Sequence, residues 1–183
     1  MDYIAFIAGL PEIDWDDRKL SLTVAEFREQ LKDYISGRDE RLIDLFFLPN
    51  DNAQVLRLLR KQEPDGALST VYPVKLLEDE IQEPDKTIPA YLREFITDFK
   101  EEHLRYDVSP ENVLSWMYYD YMMKADNQLV KRYAEFSMNL KNLVTALNAR
   151  KYGMEVAKEV GISQAQVSRL EKNALKIMRQ YLE

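Results

Sequence analysis

The stretch NQLVKRYAEFSMNLKNLVTALNARKYG, residues 127–153, is the longest uninterrupted helical pattern in the chain. Its apolar residues step by four, three, four, three and four positions: Leu129, Tyr133, Phe136, Leu140, Leu143 and Leu147. This spacing keeps them on one face of a helix, which we expect Gly153 to end. The pattern is typical of an amphipathic core helix, so it predicts that Leu140 and Leu143 are buried and that the head of Lys141 is solvated.

Candidate interface residues lie in and just before this stretch. Asn139 and Asn142 flank the apolar stripe, and amides beside an apolar face need hydrogen-bond partners if they are buried. The preceding segment, residues 111–124, carries aromatic and methionine side chains on all sides of a helix. Such a helix is usually central in a core, but tyrosine and methionine are also common at protein interfaces. The candidates for a partner interface are Asn139, Asn142, Arg150, Tyr118 and Tyr121.

Capping signals divide the rest of the chain into further helices. Thr23 with Glu26 forms a capping box, and that helix is expected to stop near residues 36–37. Residues 1–22 fit either a short strand or a first helical turn. The other predicted helices cover residues 41–48, begin at residue 52 after Pro49-Asn50-Asp51, or start at Pro73, Pro89 and Ser109. The sequence therefore predicts an all-α, multi-helix orthogonal bundle with at most one short N-terminal strand.

Composition excludes several function classes. The 183-residue chain has no cysteine, which rules out thiol catalysis, disulfides and thiolate metal sites. Residues 153–183 carry five bases and four acids, so the remainder of the −7 chain holds −8. An acidic body disfavours broad electrostatic binding to nucleic acid or anionic lipid. No apolar run approaches a membrane span, and we expect a cytoplasmic protein without membrane insertion.

Catalytic patterns are missing from the sequence. Its one histidine, His103, follows Glu101 and Glu102 near a predicted helix end, where an exposed terminal residue is expected rather than a ligand or a base. There is no phosphate-binding glycine loop, nucleophile elbow or zinc spacing. The paired acids Asp79 and Glu80 are adjacent and diverge on a helix. We expect no enzyme activity, no cofactor and no metal.

Four segments together resemble a known family: YIAFIAGLPEI from Tyr3, LIDLFFLPNDNAQVLRLL from Leu42, PAYLREFITDF from Pro89, and NLKNLVTALNARKYG from Asn139. They look like the C-like subunits of bacterial V-type ATPases. The last segment is also similar to a helix of the archaeal C-type and eukaryotic d-type subunits, with matching positions at Asn139, Leu140, Lys141, Arg150 and Tyr152. The resemblance covers most of residues 1–152. It implies a helical adapter of a proton or sodium V-type ATPase, contacting central-stalk or membrane-ring subunits and peripheral to the membrane.

The segment MEVAKEVGISQAQVSRLEKNALKIMRQYL, from Met154, resembles a different family. It is similar to the C-terminal helix-turn-helix of sporulation sigma factors, which reads the −35 promoter element. Ala157 would lie where two helices cross, Gly161 in the turn, and Val167 and Leu170 inward. The residues expected to cap the second helix or to face DNA are Ser163, Gln164, Gln166, Ser168, Arg169 and Lys172.

These resemblances predict two domains, a helical one over residues 1–153 and a helix-turn-helix segment over residues 154–183. The first hypothesis for function is a non-enzymatic assembly subunit of a V-type ATPase. The alternative is a transcription protein that binds promoter DNA and RNA polymerase through the helix-turn-helix.

Overall fold

The computed structural model describes residues 3–12, 14, 16, 21–104 and 108–152, with the backbone alone at residue 146 and residues 148–152. Every regular element in this part of the chain is an α-helix, which confirms the all-α prediction. The short N-terminal element is helical and is not a strand. The helices are α1 Tyr3–Ala8, α2 Val24–Lys32, α3 Gly37–Leu59, α4 Val74–Gln82, α5 Ala90–Lys100, α6 Pro110–Met123 and α7 Gln128–Tyr152.

Two predicted helix starts, at Thr23 and Ser109, are confirmed by their hydrogen bonds. At the start of α2, the Glu26 amide donates to Thr23 Oγ1 and the Thr23 amide donates to the Glu26 carboxylate, at 3.2 and 2.8 Å. At the start of α6, the Asn112 amide donates to Ser109 Oγ at 3.3 Å. Such caps satisfy amides that have no partner in the first turn, and each contributes about 1 kcal/mol.

The prediction of two short helices on either side of Pro49 is wrong. Helix α3 runs without interruption through Pro49. Proline has no amide hydrogen, so it cannot donate to the carbonyl oxygen of Leu45, four residues earlier. The hydroxyl of Tyr118 on α6 donates to that oxygen instead, at 3.0 Å. A side chain from a distant helix thus replaces the bond that proline removes.

Helix α6 lies at the centre of the bundle, where it packs against α3, α5 and α7. Helix α3 also packs against α4 and α5. Burying one large apolar side chain contributes about 1.5–3 kcal/mol, so these contacts dominate stability. The buried cluster consists of Leu48, Val55, Leu56, Leu77, Ile88, Tyr91, Leu92, Phe95, Ile96, Leu114, Met117, Tyr118, Met122, Val130 and Ala134.

Candidate docking surface

Helix α7 packs on the core through a face that carries few of its large apolar residues. Val130 and Ala134 are 2% and 0% exposed and belong to the core cluster. The helix begins where Asn127 Oδ1 accepts a hydrogen bond from the Val130 amide at 3.1 Å. Further along, Lys141 Nζ donates to Ser115 Oγ on α6 at 2.7 Å. Lys141 is exposed, as predicted, although partial loss of hydration at its ammonium lowers its pKa.

Most of the apolar stripe predicted to lie in the core is exposed. Leu143 is buried, at 7% exposure, as expected, whereas Leu140 is 39% exposed. Helical periodicity indicates that apolar residues share one face of a helix, but it does not indicate whether that face packs on the core. Exposed fractions along the stripe are 73% for Leu129, 45% for Tyr133, 40% for Phe136, 39% for Leu140 and 51% for Leu147, and Val144 next to Leu143 is 47% exposed.

The stripe has the geometry of a coiled-coil seam. Steps of four and three residues average 3.5, the repeat that keeps one face of a helix against a second helix. From residue 129 to residue 147 it extends about 27 Å along the helix, at 1.5 Å per residue. Its early part adjoins α3, where the rings of Phe46 and Tyr133 lie edge to face at 4.8 Å. A long exposed apolar patch of this kind usually marks a contact with another chain or segment.

The predicted interface residues occupy different environments. Asn139 and Asn142 are half-buried on α7. Asn139 lies beside the stripe, one turn from Phe136 and from Leu143, whereas Asn142 lies on the side of the helix that carries Glu135. Tyr121 is half-buried on α6, with its ring 5.1 Å from that of Tyr91. Tyr118 is only 4% exposed and bonds to Leu45, so it does not lie at the surface. Arg150 lies in the backbone of α7, and its side chain falls outside the described residues.

The residues predicted to contact DNA all lie between residues 153 and 183, outside the described part of the chain: Ser163, Gln164, Gln166, Ser168, Arg169 and Lys172. Their role in binding stays a prediction. The division into domains at residue 153 stays a prediction for the same reason.

A set of buried polar side chains on α3 was missed by sequence reasoning. Asp51 and Gln54 are both 0% exposed. The Asp51 carboxylate accepts hydrogen bonds from the amides of Val71 and Tyr72, both at 2.9 Å. Burial raises the pKa of Asp51, although these two bonds oppose the rise. Their sequence signal was the polar run from residue 50 to residue 54, of which we interpreted residues 50 and 51 as a break between two helices and the rest as the start of the second helix.

These α3 side chains hold the loop between α3 and α4. Gln54 Oε1 accepts from the Asp65 amide at 3.2 Å, and Asn50 Nδ2 donates to the Ser69 carbonyl at 2.9 Å. From α2, Arg28 donates to the Thr70 carbonyl at 2.8 Å. In the described part of the chain, Gln54 Nε2 is the buried side-chain atom without a hydrogen-bond partner. The cluster therefore positions a loop, and its polar groups are directed at the backbone.

The two adjacent acids of α4 diverge as predicted. Asp79 pairs with Lys75 at 2.9 Å on the surface. Glu80 is 3% exposed and accepts from the amides of Asp85 and Thr87, at 3.1 and 2.7 Å. Its carboxylate thus fixes the loop between α4 and α5.

Metal-binding and membrane-spanning features are missing from the described residues. None of these residues forms a cluster of three or more histidine, cysteine, aspartate or glutamate side chains that could hold a metal. His103 is exposed near the end of α5, with Nδ1 3.2 Å from Glu101 Oε2. Among the helices that the structure describes, none is long and apolar enough to cross a membrane.

The fold and the surface together define a class: an all-helical protein whose most unusual described feature is an exposed apolar seam on its longest helix. The chain belongs to the family described as "Protein of unknown function (DUF2764)", which matches residues 1–176. The match overturns the expected membership of the C-like subunits of V-type ATPases, which nothing in the comparisons indicates. It also continues past residue 153, the predicted domain boundary.

A second comparison concerns a short segment. The chain is 76% identical over 29 residues to the RNA polymerase sigma-G factor of Clostridium acetobutylicum. Those residues make up 16% of this chain, and the chain spans 11% of the length of the sigma factor. No solved structure matches the chain.

Proposed function

We propose that the protein is a non-enzymatic assembly subunit that binds a helical partner along the exposed stripe of α7. The observation that carries the proposal is the seam itself, which repeats every 3.5 residues and leaves Leu129, Tyr133 and Leu140 at least 39% exposed. A second helix with the same repeat would insert its side chains between those of the stripe. Such a contact needs shape and buried area and does not need bond-making chemistry.

The surroundings of the stripe support a protein partner. The half-buried amide of Asn139 lies beside it, one helical turn from Phe136 and from Leu143, and polar groups at the edge of an apolar contact give it register and specificity. We propose V-type ATPase central-stalk or membrane-ring subunits as the partners to test first. This proposal includes a cytoplasmic location peripheral to the membrane.

A pull-down with purified components tests the proposal. The tagged full chain is incubated with each purified V-type ATPase stalk subunit, and capture is compared with that of the double variant Tyr133→Asp, Leu140→Asp. Charges on the stripe should abolish capture, because a buried unpaired carboxylate is costly. Glu135→Ala, at an exposed position away from the stripe, is the matched control and should bind like the wild type. Equal capture by wild type and double variant, or none by either, overturns this function.

A second proposal is DNA binding by the C-terminal segment, which the likeness to a sigma factor over 29 residues supports. Arg169 and Lys172 would contact bases or phosphates. Fluorescence anisotropy with a −35-like duplex and a scrambled duplex tests it at low salt. Binding should be weak, because only a few phosphates can be neutralised, and it should fall steeply as salt rises. Arg169→Ala should remove about 1–3 kcal/mol of discrimination if Arg169 bonds to guanine. Equal binding of the two duplexes would refute sequence recognition.

A further inference from the structure

Helix α7 carries a net positive charge in an otherwise acidic protein. Its 25 residues hold five bases and one acid, or +4, whereas residues 1–126 sum to −12. Together with the +1 of residues 153–183, these values account for the −7 of the chain. The other helices of the described chain are neutral or acidic. The exposed apolar stripe therefore lies on the most basic helix that the structure describes.

Two of these bases border the stripe. With Tyr133 and Leu140 at position a of the heptad repeat abcdefg, the exposed Arg132 takes position g, at one edge of the stripe. On the other side of the stripe lies Lys141, whose Nζ donates to Ser115 Oγ on α6 at 2.7 Å. Among the residues that the structure describes, neither base forms an ion pair with a carboxylate. Both are therefore available to acidic groups of another molecule.

This charge pattern discriminates between possible occupants of the stripe. In a pair of coiled helices, charges at positions e and g of one helix pair with those at the edge of the other seam. A second copy of the protein offers no acid there, because the e and g positions from residue 130 to residue 146 are Val130, Arg132, Ser137, Asn139, Val144 and Ala146. An anionic membrane is disfavoured, because a flat surface would also face the acidic body, whereas a single helix contacts only α7 and the parts of the bundle beside it.

We infer that the helix bound by the stripe is acidic: an amphipathic helix whose apolar seam is flanked by Glu or Asp side chains that pair with Arg132 and Lys141. This inference rests on the proposed docking function and adds to it the chemistry of the partner. The two apolar seams supply the buried area of the contact. The charges at its edges fix the register, speed association and exclude helices with basic flanks.

Two synthetic peptides test the charge of the partner. Both span three heptads, about 30 Å as a helix, with leucine at positions a and d; one carries glutamate at e and g, and the other lysine. Anisotropy of the labelled peptides measures their binding to the full chain. The glutamate peptide should bind about tenfold more tightly at low salt, and the difference should shrink above about 0.15 M salt, where screening is strong. The net charge of −7 alone would favour the lysine peptide.

Charge reversals on α7 locate the effect. Arg132→Glu should weaken binding of the glutamate peptide about tenfold and strengthen binding of the lysine peptide. Lys131→Glu makes the same change in net charge on the opposite side of the helix, so it should change either affinity by less than about threefold. The double variant Tyr133→Asp, Leu140→Asp should bind neither peptide, because charges cannot pack in the seam.

The outcomes separate the inference from the function on which it rests. Equal binding of the two peptides, or tighter binding of the lysine peptide, overturns the inference and leaves docking of a helix intact. No binding of either peptide also overturns it, while the pull-down with ATPase subunits decides the proposed partner independently. Sedimentation with vesicles that contain phosphatidylserine and light scattering of the free chain examine the other occupants. Association with vesicles or with a second copy, if lost in the double variant, overturns the inference.

Discussion

The hydroxyl of Tyr118 donates a hydrogen bond to the carbonyl oxygen of Leu45, which is the acceptor that Pro49 leaves without its helical donor. The two residues are 73 positions apart in sequence. The bond joins the centre of α6 to the first half of α3 and explains how a helix of 23 residues tolerates an internal proline.

Replacing this hydroxyl should destabilise the fold. Tyr118→Phe leaves the part-buried Leu45 carbonyl without this donor, which should lower the free energy of unfolding by about 1–3 kcal/mol. In a Pro49→Ala background the amide of residue 49 can donate to Leu45, so the same change should cost less than half as much. Urea unfolding of the four chains in this double-mutant cycle measures the difference. An equal cost in both backgrounds would show that the hydroxyl does not replace the missing amide.

The pH dependence of stability should report the burial of Asp51. Its raised pKa means that the folded protein holds the proton more tightly than the unfolded chain does. Protonation therefore stabilises the fold. This contribution is complete below the unfolded pKa of about 3.9 and is lost as pH rises through the folded value. Since Asp51→Asn cannot titrate, the wild type should gain stability relative to this variant as pH falls from about 7 to about 4. Urea unfolding at several pH values measures the difference, and a flat or opposite trend would contradict it.

Two leucines of the same stripe should respond differently to truncation. Leu143 is 7% exposed, so Leu143→Ala should cost about 2–5 kcal/mol through lost burial and a cavity. Leu140 is 39% exposed, and Leu140→Ala should cost less than about 1.5 kcal/mol. Chemical denaturation with circular dichroism detection compares them. Similar midpoints would mean that both side chains are covered to the same extent.

The contribution of the buried Glu80 carboxylate to stability can be tested against a control variant at the neighbouring Asp79. Glu80→Gln replaces one of the two acceptor oxygens by an amide donor, which then faces the backbone amides of Asp85 and Thr87. We expect a loss of about 1–3 kcal/mol in unfolding free energy. Asp79→Asn weakens only a surface ion pair and should change stability by less than about 1 kcal/mol. The prediction fails if the two variants unfold at the same denaturant concentration.

Sequence patterns identified the helices more reliably than the orientation of each helix. The capping box at Thr23 and the serine at Ser109 act locally, through bonds within one turn, so the chain itself contains the information. The orientation of α7 depends on what α6 presents to it. Helix α7 contributes Val130 and Ala134 to the core, and these two residues form a weaker apolar pattern than the large residues of the stripe.

Non-local partners account for the other errors. Pro49 favours a helix break in isolation, and only a tyrosine 69 residues away makes continuation favourable. Likewise, Asp51 resembles a residue of a break between two helices until the loop that it bonds to is known. The candidate interface residues were partly identified: Asn139 lies beside the exposed stripe, whereas Asn142 lies on another face of α7 and Tyr118 is buried in the core.

The bonds from α3 to the following loop also bear on how the protein resists proteases. A protease must draw several residues of backbone into its active site, which requires local unfolding. Between α3 and α4, the amides of Asp65, Val71 and Tyr72 are held by side chains of the buried helix, so this segment opens only when part of the core opens with it. Its polar, glycine-containing sequence is typical of an accessible cleavage site. Because the loop is bonded to α3, we expect it to resist proteolysis as well as the core does.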